Sequence, residues 1–153
     1  MRKILNMNLK DFVAVSSMPG LYRLMATRSN GLLIQEIDSE KTKFASTRKH
    51  QFTPLETVAI YTDNDSTELK EIFQRIEDNL EDLPLPESNS SKEDFFNYFS
   101  EILPDYDEER VMISDVKKVI KWFKFLKERN LLILEDSSDE EQEVDEKNKE
   151  PES

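Results

Sequence analysis

The chain has 153 residues, of which 33 are Asp or Glu and 21 are Lys or Arg, leaving a formal net charge of -12. It has no cysteine, which excludes disulfides, thiolate catalysis and Cys-ligated zinc or iron–sulfur centres and fits a reduced, cytoplasmic setting. No run approaches the roughly 20 apolar residues of a membrane span, and the basic start Met1-Arg2-Lys3 leads into no signal-peptide core, so no membrane partner is expected.

Asn8 is a good N-cap and predicts a short helix over 9–15, ended by Pro19-Gly20. A β-hairpin follows over 21–37. Asn30-Gly31 is a strong two-residue turn signal, because a type I′ turn needs positive φ at both central residues. That turn sets facing residues to sum to 61, pairing Leu24 with Ile37 and Arg23 with Asp38. One face then carries Tyr22, Leu24, Leu33 and Ile37, and the other Leu21, Met25 and Ile34. Apolar residues on both faces predict a curved sheet buried on both sides. Thr42–Ala45, His50–Phe52 and Val58–Thr62 read as further short strands. Four or five strands in about sixty residues predict a small barrel of SH3-like kind.

Asp65 and Glu68 form a capping-box pattern. Leu69, Ile72, Phe73, Ile76 and Leu80 then recur on one helical face, expected to close over the barrel. Leu83-Pro84-Leu85-Pro86 and the polar residues after it read as a linker. Ser91 with Asp94 caps a second helix rich in aromatic residues, which Pro104 stops. Ser114 caps a last helix, roughly 115–130, with Val116, Val119, Ile120, Trp122, Phe123 and Leu126 as its apolar face. Lys117, Lys121 and Lys124 share the other side, and Phe125 falls off the apolar face, either exposed or covered by the first domain. Residues 135–153 hold ten acidic residues against two lysines, with one valine and no aromatic residue. Such a segment buries too little apolar surface to offset the entropy of ordering, so it is expected to be disordered.

The predicted fold class is therefore α+β. A small SH3-like β-barrel with a closing helix (1–82) is followed by a linker (83–91), a small helical domain (92–134) and the acidic tail (135–153).

Asn8-Leu9-Lys10, Pro19-Gly20-Leu21-Tyr22, Gly31 and Ile60-Tyr61-Thr62 come first. Ile102-Leu103-Pro104-Asp105-Tyr106-Asp107 and Ser114-Asp115-Val116-Lys117-Lys118-Val119-Ile120-Lys121-Trp122 follow. In this order they resemble a bacterial family of uncharacterised two-part proteins, with an N-terminal β domain of unknown function, a small helical domain and an acidic tail. The resemblance covers most of 8–130. It implies an architecture and a cytoplasmic role, and it transfers no activity and no site residues. Ser17 stands where that family's pattern commonly has a glycine.

Chemistry-bearing constellations are few. His50 is the sole histidine and sits beside Arg48 and Lys49 without a nucleophile elbow, so it reads as a loop residue rather than a catalytic one. Asp105, Asp107 and Glu109 alternate like the start of a calcium loop. Position 6 is Arg110 and position 12 is Val116, where an EF-hand needs Gly and Glu. Isolated Gly20 and Gly31 make no phosphate loop. No catalytic residue, metal or cofactor is expected. Lys41, Lys43, Arg48 and Lys49, with Phe44 and Phe52 nearby, form a candidate nucleic-acid patch, opposed by the net negative charge. The plainer reading makes the phenylalanines core and the lysines solubilising. Trp122, Phe125 and Phe96 are candidate partner-binding residues, whose plainer reading is helix–helix packing. The favoured function is a non-enzymatic interaction or accessory protein with a protein partner; the alternative is an RNA- or ribosome-associated module using 41–49.

Overall fold

The computed structural model describes residues 3–5, 9–132 and 134–136, with side-chain surroundings for 9–132. Five strands form an open antiparallel sheet: β2 (Phe12–Val15), β3 (Tyr22–Arg28), β4 (Gly31–Glu36), β5 (Thr42–Ser46) and β6 (Phe52–Pro54). Their order is β5-β4-β3-β2-β6. Among the described residues β5 and β6 stay unpaired edges, so the sheet does not close into the expected barrel. Two small antiparallel pairs accompany it: β1 (Lys3–Leu5) with β9 (Leu134–Asp136), and β7 (Ala59–Tyr61) with β8 (Ser66–Glu68). Glu135 and Asp136, expected in the tail, thus belong to a strand; the rest of that expectation, 137–153, lies outside the described residues.

The expected helix over 9–15 is only a 3-10 turn at Leu9–Asp11. Phe12, Val13 and Val15 continue as strand β2, because that segment can bury both faces between β3 and β6. The hairpin turn also moves. Arg28 faces Gly31 and Thr27 faces Leu32, so Ser29-Asn30 forms the turn and facing residues sum to 59. A bulge at Met25 shifts the register again, and Leu24 faces Ile34 while Arg23 faces Gln35. The predicted Leu24–Ile37 and Arg23–Asp38 pairs do not form. Gly31 is needed for space rather than for positive φ: a Cβ there would lie 2.2 Å from the Ala45 carbonyl oxygen and 2.6 Å from the Phe44 ring.

The sheet separates two cores. On one face Val13, Val15, Tyr22, Ile34 and Ala45 pack with Leu24, Leu32 and Phe52. On the other, Leu9, Phe12, Leu21 and Leu55 join one continuous core with the helices α1 (Leu69–Asp78), α2 (Lys92–Ile102) and α3 (Ile113–Glu128). The predicted face of α1 is right in composition and turns elsewhere. Leu69, Ile72, Phe73 and Ile76 are buried in the helical core, where Phe73 meets the Phe123 ring edge-on at 5.7 Å. Fully burying each such side chain contributes about 1.5–3 kcal/mol.

Helix ends follow local chemistry. Ser91 Oγ accepts the Asp94 N–H at 3.0 Å, as its sequence position predicts. Asp65 and Glu68 make no capping box, since Ser66–Glu68 is strand β8 and α1 starts at Leu69. The cap of α3 is Met112 rather than Ser114; the Asp115 carboxylate accepts the Met112 N–H at 2.9 Å. At the other end Asn130 adopts φ 57, with Leu131 N–H donating to Leu126 O and Asn130 N–H to Lys127 O. That pair of hydrogen bonds is a Schellman closure, and it reverses the chain. In the segment 83–91, Leu83 and Leu85 pack against the core, and the Pro86 carbonyl accepts Lys124 Nζ at 2.9 Å.

Candidate functional site

One side of α3 docks against the root of the sheet. Phe125 lies against Gly20, whose φ is +74; a Cβ there would meet the Phe125 ring at 2.6 Å. The Arg129 guanidinium stacks over Phe125 at 3.7 Å from the ring centroid. The same group grips Asp38 in a two-pronged pair, Nε–Oδ1 3.0 Å and Nη2–Oδ2 3.1 Å. Phe125 is therefore covered by the β portion of the chain, one of the two alternatives its sequence position left open. Asp38, expected opposite Arg23 in the hairpin, serves α3 instead.

Beside this contact a groove of about 690 Å³ runs between α3 and the β2 strand with its following turn. Its α3 wall carries Lys118, Lys121, Trp122, Lys124 and Phe125, with Glu128 and Arg129, 3.6 Å apart, at its end; its other wall carries Val15, Met18, Gly20 and Thr53. A second depression continues it past Trp122 to Tyr61 and Arg110, where Arg110 stacks on Tyr61 at 4.2 Å.

Lys118, Trp122, Phe125 and Arg129 follow the spacing i, i+4, i+7, i+11, so they form one stripe on α3. The groove is electropositive for a local reason. Lys118 and Lys121 have no carboxylate partner among the described residues, and Lys124 Nζ reaches only a carbonyl. Lys127, by contrast, is neutralised by Glu77 at 3.0 Å, and Arg129 by Asp38. Three ammonium groups around a half-buried indole can take up carboxylates beside an apolar or extended backbone segment.

The groove thus brings together two of the three sequence-predicted partner residues, Trp122 and Phe125. Phe96 lies elsewhere, on α2, stacked on Tyr106 at 6.1 Å. The sequence offered Gly20 as the end of a helix and Lys118 within the family-like string, neither as a site residue, and Arg129 was not singled out. The i, i+4, i+7, i+11 stripe was the available signal, hidden because Trp122 also fits the apolar face.

The predicted nucleic-acid patch does not converge. Lys43 pairs with Glu36 at 3.2 Å and sits over the Tyr22 ring. Hydrogen bonding from Ser39, then from Lys43, holds the Glu36 carboxyl below its usual value. Exposed Lys41 precedes β5, while exposed Arg48 and Lys49 share the turn after its other end. Phe52 is half-buried in the sheet core, while Phe44 is exposed, with its ring against Gly31.

His50 Nδ1 lies 3.0 Å from the Ser16 carbonyl oxygen. The Ser16 hydroxyl accepts the Gln51 N–H instead, so imidazole and hydroxyl are not an activated pair. In the acidic turn the Asp107 carboxylate accepts Arg110 Nε at 2.8 Å and the backbone N–H of Glu109 at 2.9 Å. The Arg110 hydrogen bond, then that N–H, holds its pKa below the ordinary carboxylate value. Among the described residues no three or more His, Cys, Asp or Glu side chains gather as a metal site, and no helix is long and apolar enough to cross a membrane.

Both halves of the chain match domain families of unknown function. Residues 9–55 match "Domain of unknown function (DUF5606)" and residues 58–126 match "Domain of unknown function (DUF6852)". The junction falls between Leu55 and Val58, yet side chains from both matched regions share one core. A solution NMR structure of a structural-genomics target from Bacteroides vulgatus is similar, with a TM-score of 0.62 and 28% identity. The similarity covers 78% of this chain and 85% of that one. No curated protein matches. The chain is thus similar to uncharacterised two-part proteins, a bacterial origin fits, and the comparisons bring no activity with them.

Proposed function

We propose that this chain is a non-enzymatic accessory protein of the cytoplasm that holds an acidic segment of a protein partner in the α3 groove. The observation that carries the reading is the set Lys118, Lys121 and Lys124 around Trp122. These are cations left without carboxylate partners among the described residues, on an aromatic floor, in a chain whose net charge is -12. Unsatisfied positive charge beside apolar surface suits a carboxylate-rich peptide, with the indole supplying contact area and the ammonium groups supplying register. The two-pronged Arg129–Asp38 pair and the Phe125–Gly20 contact support the groove by fixing α3 against the sheet. The non-enzymatic part of the reading rests on side-chain chemistry: the groove's one carboxylate, Glu128, sits beside Arg129, and Ser16 and His50 are not paired as nucleophile and base.

The test is affinity capture from the native cell, with and without nuclease, using the wild-type chain and two full-length variants. Partners should survive nuclease, be lost from Lys118→Glu/Lys121→Glu, and be kept by Lys43→Glu. Loss on nuclease treatment together with loss on Lys43→Glu would instead favour RNA on the 41–49 segment.

A further inference from the structure

Resting on that reading of the groove, we propose that the chain regulates its own site: the acidic segment 137–153 lies in the α3 groove in cis, and a partner must displace it. Three observations carry this. The first is charge. Residues 137–153 hold eight Asp or Glu against two Lys, and six of the acids fall within Asp139–Glu146. The groove is bordered by Lys118, Lys121 and Lys124, and its one acidic residue, Glu128, lies against Arg129.

The second is reach. The last described residue, Asp136, closes strand β9 and stands seven residues after Arg129, hence no more than about 25 Å from it. The groove stripe from Lys118 to Arg129 spans eleven residues of helix, about 17 Å. The far end is therefore at most about 42 Å from Asp136, and seventeen extended residues cover about 55–60 Å. The third is competition. The Schellman turn at Asn130 and the pairing of β9 with β1 anchor the start of the segment to the folded body. A tethered ligand at that range has an effective concentration in the millimolar range. Were the free peptide to bind with a dissociation constant of about 0.1 mM, that would give about tenfold protection of the groove.

Trp122 is the sole tryptophan, so its fluorescence reports on the groove directly. The experiment uses full-length chains at low salt. The comparison is between wild type and a variant carrying Asp139→Asn, Glu140→Gln, Glu141→Gln and Glu143→Gln. The probe is a labelled synthetic peptide of residues 137–153. The neutralised variant should bind the peptide about tenfold more tightly than wild type and leave Trp122 more open to acrylamide quenching. Both differences should vanish in 1 M NaCl, where the Debye length falls to about 3 Å. They should also vanish with Lys118→Glu/Lys121→Glu; Lys118→Ala/Lys121→Ala gives the same direction should the reversed pair fail to fold.

Equal binding by both chains, still lost in the lysine variants, would overturn the cis tail and leave the groove reading standing. Binding by neither chain at millimolar peptide would overturn both. A difference that grows with protein concentration would assign the segment to a second copy's groove and overturn the cis arrangement. Tighter displacement by polyuridylate than by peptide would hand the groove to RNA and overturn it as well.

Discussion

Gly20→Ala should destabilise the fold through two separable effects, and a second substitution should remove one of them. Gly20 holds φ +74, a left-handed conformation that costs an L-residue about 1–2 kcal/mol. The new Cβ would also lie 2.6 Å from Cε2 and 3.2 Å from Cδ2 of Phe125. The ring cannot retreat freely, because Arg129 covers it at 3.7 Å and is itself held by Asp38. Relieving that overlap by shifting packed groups costs about 1–3 kcal/mol. Gly20→Ala alone should therefore cost about 2–5 kcal/mol. Phe125→Ala should cost about 2 kcal/mol, roughly half of a fully buried Phe truncation, since the ring is half-buried. In the Phe125→Ala background the alanine methyl meets no ring, and Gly20→Ala should cost only its backbone share, about 1–2 kcal/mol. The double variant should thus be less destabilised than the sum by about 1–3 kcal/mol. Urea unfolding followed by Trp122 fluorescence measures all four corners of this cycle. Additive losses would show that α3 does not press on Gly20, and the account of the groove wall would fall with it.

Ser17 adopts φ 68, so Ser17→Gly should raise stability by about 0.5–1 kcal/mol, read from the urea midpoint; a loss would mean that the serine side chain holds the turn. Tyr98 Oη is buried with no hydrogen-bond partner among the described residues, and burial pushes its pKa well up. Tyr98→Phe should therefore be neutral or stabilising by about 1 kcal/mol, and a clear loss would reveal an unseen partner. The Asp107 carboxyl is depressed mainly by Arg110. Its stabilising share is present above the unfolded carboxylate pKa and is lost as pH falls through the lower folded value. Carbon-detected NMR titration should place Asp107 below the ordinary aspartate value, and Arg110→Ala should bring it back towards that value. An unchanged titration would refute the pairing.

The apolar faces of the helices and the cap of α2 were legible because their signals are local, whereas the starts of α1 and α3 were not. Ser91 caps α2 through its own neighbour three residues on, and the apolar face of α1 repeats every turn. The aromatic residues of α2 likewise declare a core by spacing alone. The β half was read less well because its decisive contacts are distant. Asn30-Gly31 looks like a type I′ turn. The glycine is required instead by Ala45 and Phe44 on β5, fourteen and thirteen residues away. Phe12–Val15 follows a good N-cap, yet it becomes a strand because β3 and β6 offer it partners on both sides.

Composition and order alone determined that the chain is mixed α+β, that its helices present aromatic faces, and that charge gathers at its end. Those properties belong to individual residues and their near neighbours. The open sheet, the turn moved by one residue, the salt bridge from Asp38 to Arg129 and the groove beside Trp122 were decided only by the tertiary structure. Each depends on residues far apart in the chain meeting at van der Waals or hydrogen-bond distance, and no local propensity encodes which partner arrives.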